Sequence, residues 1–198
     1  ANLTSGAITA FSTLQIASLT TMQVSSLSST SVQALSAAQL AAMETADLAV
    51  LSSTNLAALS SAQLKGLTTT QLSGLSTTAL SQVSTGALAG LNSAQMASLT
   101  TTQVAGLTSA AVRALGTTQL AAMETADVAV LNSTNLAALS SVQVQALTTA
   151  QIVGLTDTQI TNMNTVTLQS LTVKQVAVLE TSDIVSLGST KVTSLSST

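Results

Sequence analysis

An eight-residue period runs through the chain and constrains its fold more than any other feature. Lettering the positions a to h from Leu3, a is a large apolar residue, f is always apolar, and b and c are mostly Ser or Thr. Position e is often Gln, and g and h are usually small. The stretch Leu99-Thr-Thr-Thr-Gln-Val-Ala-Gly106 shows one copy cleanly; the unit repeats 24 times without a break, and a partial copy starts at Leu195. Apolar residues thus recur at spacings of five and three. A strand would place a and f on opposite faces. A continuous helix turns about 100° per residue, so eight residues overshoot two turns by about 80° and the apolar stripe winds round the cylinder. Each octad must contain a break.

The break falls at b. Nineteen of the 24 complete octads carry Ser, Thr or Asn there, the preferred N-cap residues, and Gly116 and Gly188 are also tolerated caps. Three residues on, e is Gln in 12 octads: Gln15, Gln23, Gln39, Gln63, Gln71, Gln95, Gln103, Gln119, Gln143, Gln151, Gln159 and Gln175. Ser or Thr followed at +3 by Gln is a capping box, and the apolar pair at a and f, then N′ and N4, is a hydrophobic staple. One assignment explains a, b, e and f together. Each octad reads as a helix of about one and a half turns from c to h, too short to stand alone and stable only when stacked on copies of itself. The expected fold is an all-α solenoid of very short capped helices, one per octad. Position c is Ser or Thr in 21 of 24 octads, which a helix N1 position does not demand. Hydroxyl contacts between stacked coils would explain it, as would a β-solenoid with Thr ladders, which stands as the alternative fold.

No composition shift, charge run or Pro/Gly-rich linker divides the chain. We expect one continuous octapeptide-repeat array over 1–198 with a longer repeat superimposed, since residues 38–67 reappear at 118–147. The offset of 80 residues, ten octads, gives long repeats of about 1–80 and 81–160 and a partial one at 161–198. Tandem duplication accounts for it. Neither end shows a polar cap, and arrays with open, in-phase ends can continue head to tail. Self-association, or continuation into other domains of a longer chain, is therefore expected.

Composition excludes several functions. The only basic residues are Lys65, Arg113, Lys174 and Lys191, and the net charge is −3. Four scattered cations make neither a phosphate-neutralising stripe nor a polybasic membrane patch. The mean hydropathy is positive, +0.55, but apolar residues are dispersed and no run approaches the roughly 20 needed to span a bilayer. No nucleic acid and no membrane insertion are expected. With no His and no Cys, the many hydroxyls lack an activating base. A Ser–Lys dyad through Lys65, Lys174 or Lys191 lacks any surrounding motif, and these lysines and Arg113 read as solvated surface. Gly66, Gly74, Gly90, Gly106 and Gly154 at h read as helix-end residues, and Met43, Met123 and Met163 at a as core fillers. Asn2 and Asn132 begin Asn-Xaa-Thr triplets.

The only chemical candidates are three acidic pairs at b and e: Glu44 with Asp47, Glu124 with Asp127, and Glu180 with Asp183. Paired carboxylates could bind Ca²⁺, but they replace the Ser/Gln capping pair position for position and sit where negative charge complements the helix dipole. The capping reading is preferred. No catalytic residue, cofactor or resident metal is expected, and the chain is not expected to be an enzyme.

In its Leu-Thr-Thr-Xaa-Gln-Val/Leu-Xaa-Xaa-Leu unit, the whole chain resembles the octad-repeat regions of very large bacterial surface or adhesin-like proteins. That resemblance implies an exported stalk, matrix or filament component at the bacterial cell surface, and it carries no functional residues across. The Leu-Thr-Xaa-Xaa-Gln-Val opening also looks like the start of TAL-effector repeats, whose units are far longer and basic; the likeness is a shared helix start. The function expected is non-catalytic, structural and self-assembling. A Ser/Thr-faced module binding ice or carbohydrate is the alternative.

Overall fold

The structure, a computed structural model, describes residues 4–195. Leu3, the sequon at Asn2 and the tail from Ser196 lie outside the described residues. Among those described there are 23 helical segments and no strand. The all-α reading holds and the β-solenoid does not.

Each octad builds its helix as the capping box dictates. In the octad from Leu67, that residue and Thr68 are extended (φ −66°, ψ 145° and φ −71°, ψ 158°) and the helix is Thr69–Gly74. Gln71 N–H donates to Thr68 Oγ1 at 3.1 Å and Thr68 N–H donates to Gln71 Oε1 at 2.8 Å. Leu72 N–H then reaches the Thr68 carbonyl at 3.0 Å, and Leu75 N–H returns to the Leu72 carbonyl at 3.2 Å as the chain turns. Other octads end one residue earlier, as in Thr45–Ala49. The last helical segment, Thr181–Leu195, is bent at Gly188, whose φ of 68° is the only positive value among the described residues. Position b elsewhere is extended at negative φ, so this corner turns differently, and glycine meets it without Cβ strain.

The chain forms two compact units, Ala1–Gly106 and Leu107–Thr198. Within each, a helix packs on the helix three octads away. In the first, Thr13–Ala17 lies against Ala37–Ala42, which lies against Ser61–Gly66. In the second, Thr117–Ala122 lies against Ser141–Ala146, and Asp157–Asn162 against Thr181–Leu195. This spacing brings the f residues into stacks: Ile16, Leu40 and Leu64 are successive members and all are fully buried. The a residues Leu35 and Leu59 are buried beside them. Burying one such side chain is worth about 1.5–3 kcal/mol, which is how five-residue helices unable to survive alone persist together.

The stacking also explains h and c, which local helix rules leave open. Position h of one octad lies over position c of the octad three before it. A Cβ built on Gly154 would stand 2.0 Å from Thr125 Cγ2, one on Gly106 2.2 Å from Thr77 Cγ2, and one on Gly90 2.7 Å from Ser61 Cβ. The glycines at h are therefore notches for the turn before, and their role as helix ends is secondary. Position c mainly supplies a small Cβ or methyl to this contact. A direct hydroxyl pair between turns is seen from Ser170 to Ser141, at 2.8 Å.

Two glycines should respond differently. A Cβ at Gly66 would meet Ala37 Cβ at 2.4 Å and Ala37 Cα at 2.9 Å, with no rotamer to relieve it. At Gly74 the obstacle is Thr45 Cγ2 at 2.2 Å, which a χ1 rotation moves aside. Gly66→Ala is expected to cost about 1–3 kcal/mol by overpacking, and Ala37→Gly to restore most of it. Gly74→Ala is expected to be near neutral. Chemical denaturation of the four proteins checks this, and equal losses at both glycines would contradict it.

Candidate functional site: the buried row at position e

Position e carries the most polar chemistry of the repeat, and the structure buries it. Gln71 is 3% exposed, Gln103 2% and Asp127 1%. Its side chain makes contacts that the capping box does not include. Gln71 Nε2 donates to the carbonyls of Leu40 at 2.9 Å and Met43 at 2.7 Å, 31 and 28 residues back. Gln63 does the same to Val32 and Leu35, both at 2.8 Å, and Gln39 to Ile8 and Phe11 at 2.9 and 2.8 Å. In the second unit, Gln151 reaches Leu120 and Met123, and Gln159 reaches Val128 and Leu131. The amide oxygen therefore closes the helix start in its own octad, while the amide nitrogen bridges to the f and a carbonyls of the turn before. One primary amide fulfils both needs, because it carries an acceptor and two donor hydrogens on one planar group.

The variants at e follow from reach and donor count. Asn55, one methylene shorter, forms no box with Ser52 and donates only to the Leu27 carbonyl, at 3.0 Å; Asn135 repeats this on Leu107. At Gly116 the N-cap has no side chain, so the box is half built: Gly116 N–H donates to Gln119 Oε1 at 2.7 Å. Lys191 also occupies e, and its ammonium donates to the Thr161 carbonyl one turn back. The reading of Lys191 as solvated surface therefore gives way to a turn-bridging contact.

All three acidic pairs occupy this frame. Asp47, Asp127 and Asp183 are each buried at e and accept the backbone N–H of Glu44, Glu124 and Glu180, at 3.2, 3.3 and 2.8 Å. The Glu44 and Glu124 side chains make no cap bond; Asp47 and Asp127 N–H go instead to the Glu44 and Glu124 carbonyls at 3.0 Å. Each pair gives two carboxylates at one helix start, one of them holding a backbone N–H, whereas Ca²⁺ takes about six to eight oxygens. No group of three or more Asp, Glu, His or Cys side chains comes together among the described residues. Capping is what the geometry displays.

Burial raises the Asp127 carboxyl above its ordinary 3.8, with the Glu124 charge adding to the rise and the Glu124 N–H opposing it. A raised folded value means that the native state holds the proton more tightly than the unfolded chain. The stabilisation from this group is thus present at acid pH and fades as pH climbs from 3.8 through the folded value. Asp127→Asn is expected to melt higher than the parent at neutral pH, with the gap closing at acid pH. Thermal unfolding at the two pH values checks the sign, and a lower melting point for Asp127→Asn at neutral pH would contradict it.

Two shallow clefts, of about 170 and 280 Å³, lie at equivalent places 80 residues apart. One is bounded by Leu51, Ser53, Ala79 and Gln82, the other by Leu131, Ser133, Gln159 and Asn162. Both lie where an amide side chain instead of a small residue occupies h. Both fall below the roughly 300–1,000 Å³ of small-molecule sites. At the first, e is Ala79, so the carbonyls 31 and 28 residues back, Leu48 and Leu51, have no glutamine donor. Ala79→Gln is expected to close the box with Ser76, supply those two bonds and stabilise the chain by about 1 kcal/mol, as read by chemical denaturation.

Sequence reasoning identified position e as a cap and missed its second bond. The signal available was the preference for Gln over Glu: either closes a capping box, but only Gln also brings donors. None of the four basic residues gathers with the acidic pairs into a reactive cluster, and the described residues form no ion pair with them that shapes the site. The Asn132 side chain accepts from Asn135 N–H at 2.9 Å, so this sequon residue serves as an N-cap.

No helix among the described residues is long and apolar enough to cross a membrane. The family model described as the ALTTAQ repeat matches residues 40–77 and again 120–157. The two matches start 80 residues apart, in the same octad phase, as the long repeat requires. No curated protein matches the sequence. The chain is a repeat protein that contains ALTTAQ-type repeats, built in this structure as short capped helices.

Proposed function

We propose that the chain is a non-catalytic structural element of an extracellular bacterial surface, matrix or filament protein, acting through contacts with copies of itself or with other domains. One observation carries this reading: the recurring polar side chains are used up by the fold. Gln, Asn and Asp at e cap helices and bridge turns, Ser and Thr at b cap helices, and the small residues at c and h set the turn-to-turn distance. A repeat that spends its chemistry on its own stacking is suited to bear load or set spacing. The surface location draws on the resemblance to octad regions of adhesin-like proteins. Immunogold labelling of intact source cells tests it: label on unpermeabilised cells is expected, and label seen only after permeabilisation would overturn it.

A second reading has an observation of its own. Thr54, Thr78 and Thr102 occupy position d three octads apart and are exposed, so hydroxyls recur once per stacked turn on the outer face of the first unit. Such a column suits a module that binds ice or carbohydrate. Ice-recrystallisation inhibition and glycan-array binding test it, and silence in both removes it.

A further inference from the structure

The row at e is incomplete in the first turn. Gln15 and Gln23 close their capping boxes as the others do, accepting Ser12 and Thr20 N–H, both at 2.8 Å. Their Nε2 groups, unlike those of Gln39, Gln63 and Gln71, find no carbonyl among the described residues, and both side chains are exposed. Immediately before them stand Leu14 and Met22, 82% and 80% exposed. Position d is Ala or Thr in most other octads, so the first turn is also unusually apolar. The complementary edge is present in the last turns of the second unit. The Leu171 and Leu179 carbonyls occupy position a, where Leu35 and Met43 accept a glutamine donor, yet neither receives a side-chain bond among the described residues.

We propose that the Gln15–Gln23 face is a docking surface for the Leu171–Leu179 edge of a second copy of this chain. It would use the amide-to-carbonyl bonds that already join turns inside each unit. Donors on one edge and carbonyls on the other give a heterologous, head-to-tail contact, and such contacts add further copies in line. The partner is fixed by chemistry: it must offer f and a carbonyls at the spacing that one primary amide spans, with apolar surface beside them for Leu14 and Met22. The octad coil provides that edge. The inference rests on the self-associating part of the reading above and names its contact.

The test is sedimentation velocity of the chain over a wide concentration range, with two double variants. Gln15→Glu with Gln23→Glu keeps an oxygen for each capping box and removes both donors; these residues are exposed, so the fold has little reason to change. Gln33→Glu with Gln145→Glu makes the same charge change at exposed positions away from this face. The parent and the second variant are expected to associate alike, and the first variant to associate more than about tenfold more weakly. A parent that stays monomeric throughout overturns the docking proposal but leaves the structural reading, which cell labelling tests separately. Equal weakening in both variants, or in neither, overturns it as well.

Discussion

Gln71→Glu is expected to destabilise the chain by about 3 kcal/mol at neutral pH, because two buried carbonyls lose their donors and face a carboxylate. The side chain keeps its length and an oxygen for Thr68 N–H, now bonded at 2.8 Å. What disappears is the pair of bonds to Leu40 and Met43, at 2.9 and 2.7 Å. Cap loss alone predicts almost no effect of this substitution, whereas the turn-bridging role predicts a large one. Gln71→Asn should fall between, since Asn55 shows that the shorter amide still reaches a single carbonyl. Acidification should restore part of the Gln71→Glu loss by protonating the carboxylate, leaving an O–H to donate. Chemical denaturation at two pH values measures all three. A loss below about 1 kcal/mol for Gln71→Glu would show that the bridging bonds contribute little.

The second large effect concerns the apolar stack. Leu120, fully buried at f, is expected to cost about 2–5 kcal/mol when truncated to Ala, through lost transfer energy and the cavity left between turns. Leu120→Met should cost less than about 1.5 kcal/mol, since the same position in another octad is already Met96, also fully buried. Hydrogen exchange would place the damage. In a stacked repeat each turn depends on its neighbours, so protection should fall in the helices that touch Thr117–Ala122, with distant helices spared.

The octad was legible because its main signals are local. Thr68, Gln71, Leu67 and Leu72 lie within six residues of one another, and cap, box and staple follow from their order alone. What lay beyond the sequence depended on one quantity that local rules do not give, the number of octads per turn. Once the structure shows helices stacking three octads apart, Gly74 becomes the notch over Thr45, and the Gln71 amide becomes a bridge to Leu40 and Met43. The excess of Ser and Thr at c had been noticed without its partner, since the residue that meets Thr45 is 29 positions away. The acidic pairs were placed correctly at b and e, but the burial of Asp47 and Asp127 follows from the same stacking and could not be read from their spacing.

Engineered cross-linking tests the central claim, that turns stack three octads apart, most directly. The chain has no cysteine, so any disulfide reports only the pair introduced. A Cβ at Gly74 would stand 3.6 Å from Thr45 Cβ, within the roughly 3.5–4.5 Å that a disulfide requires. Thr45→Cys with Gly74→Cys is therefore expected to oxidise readily and raise the melting temperature. Ser53→Cys with Gly74→Cys, one octad out of register, is expected to remain reduced under the same conditions. If the second pair closed and the first did not, the stacking described here would be wrong.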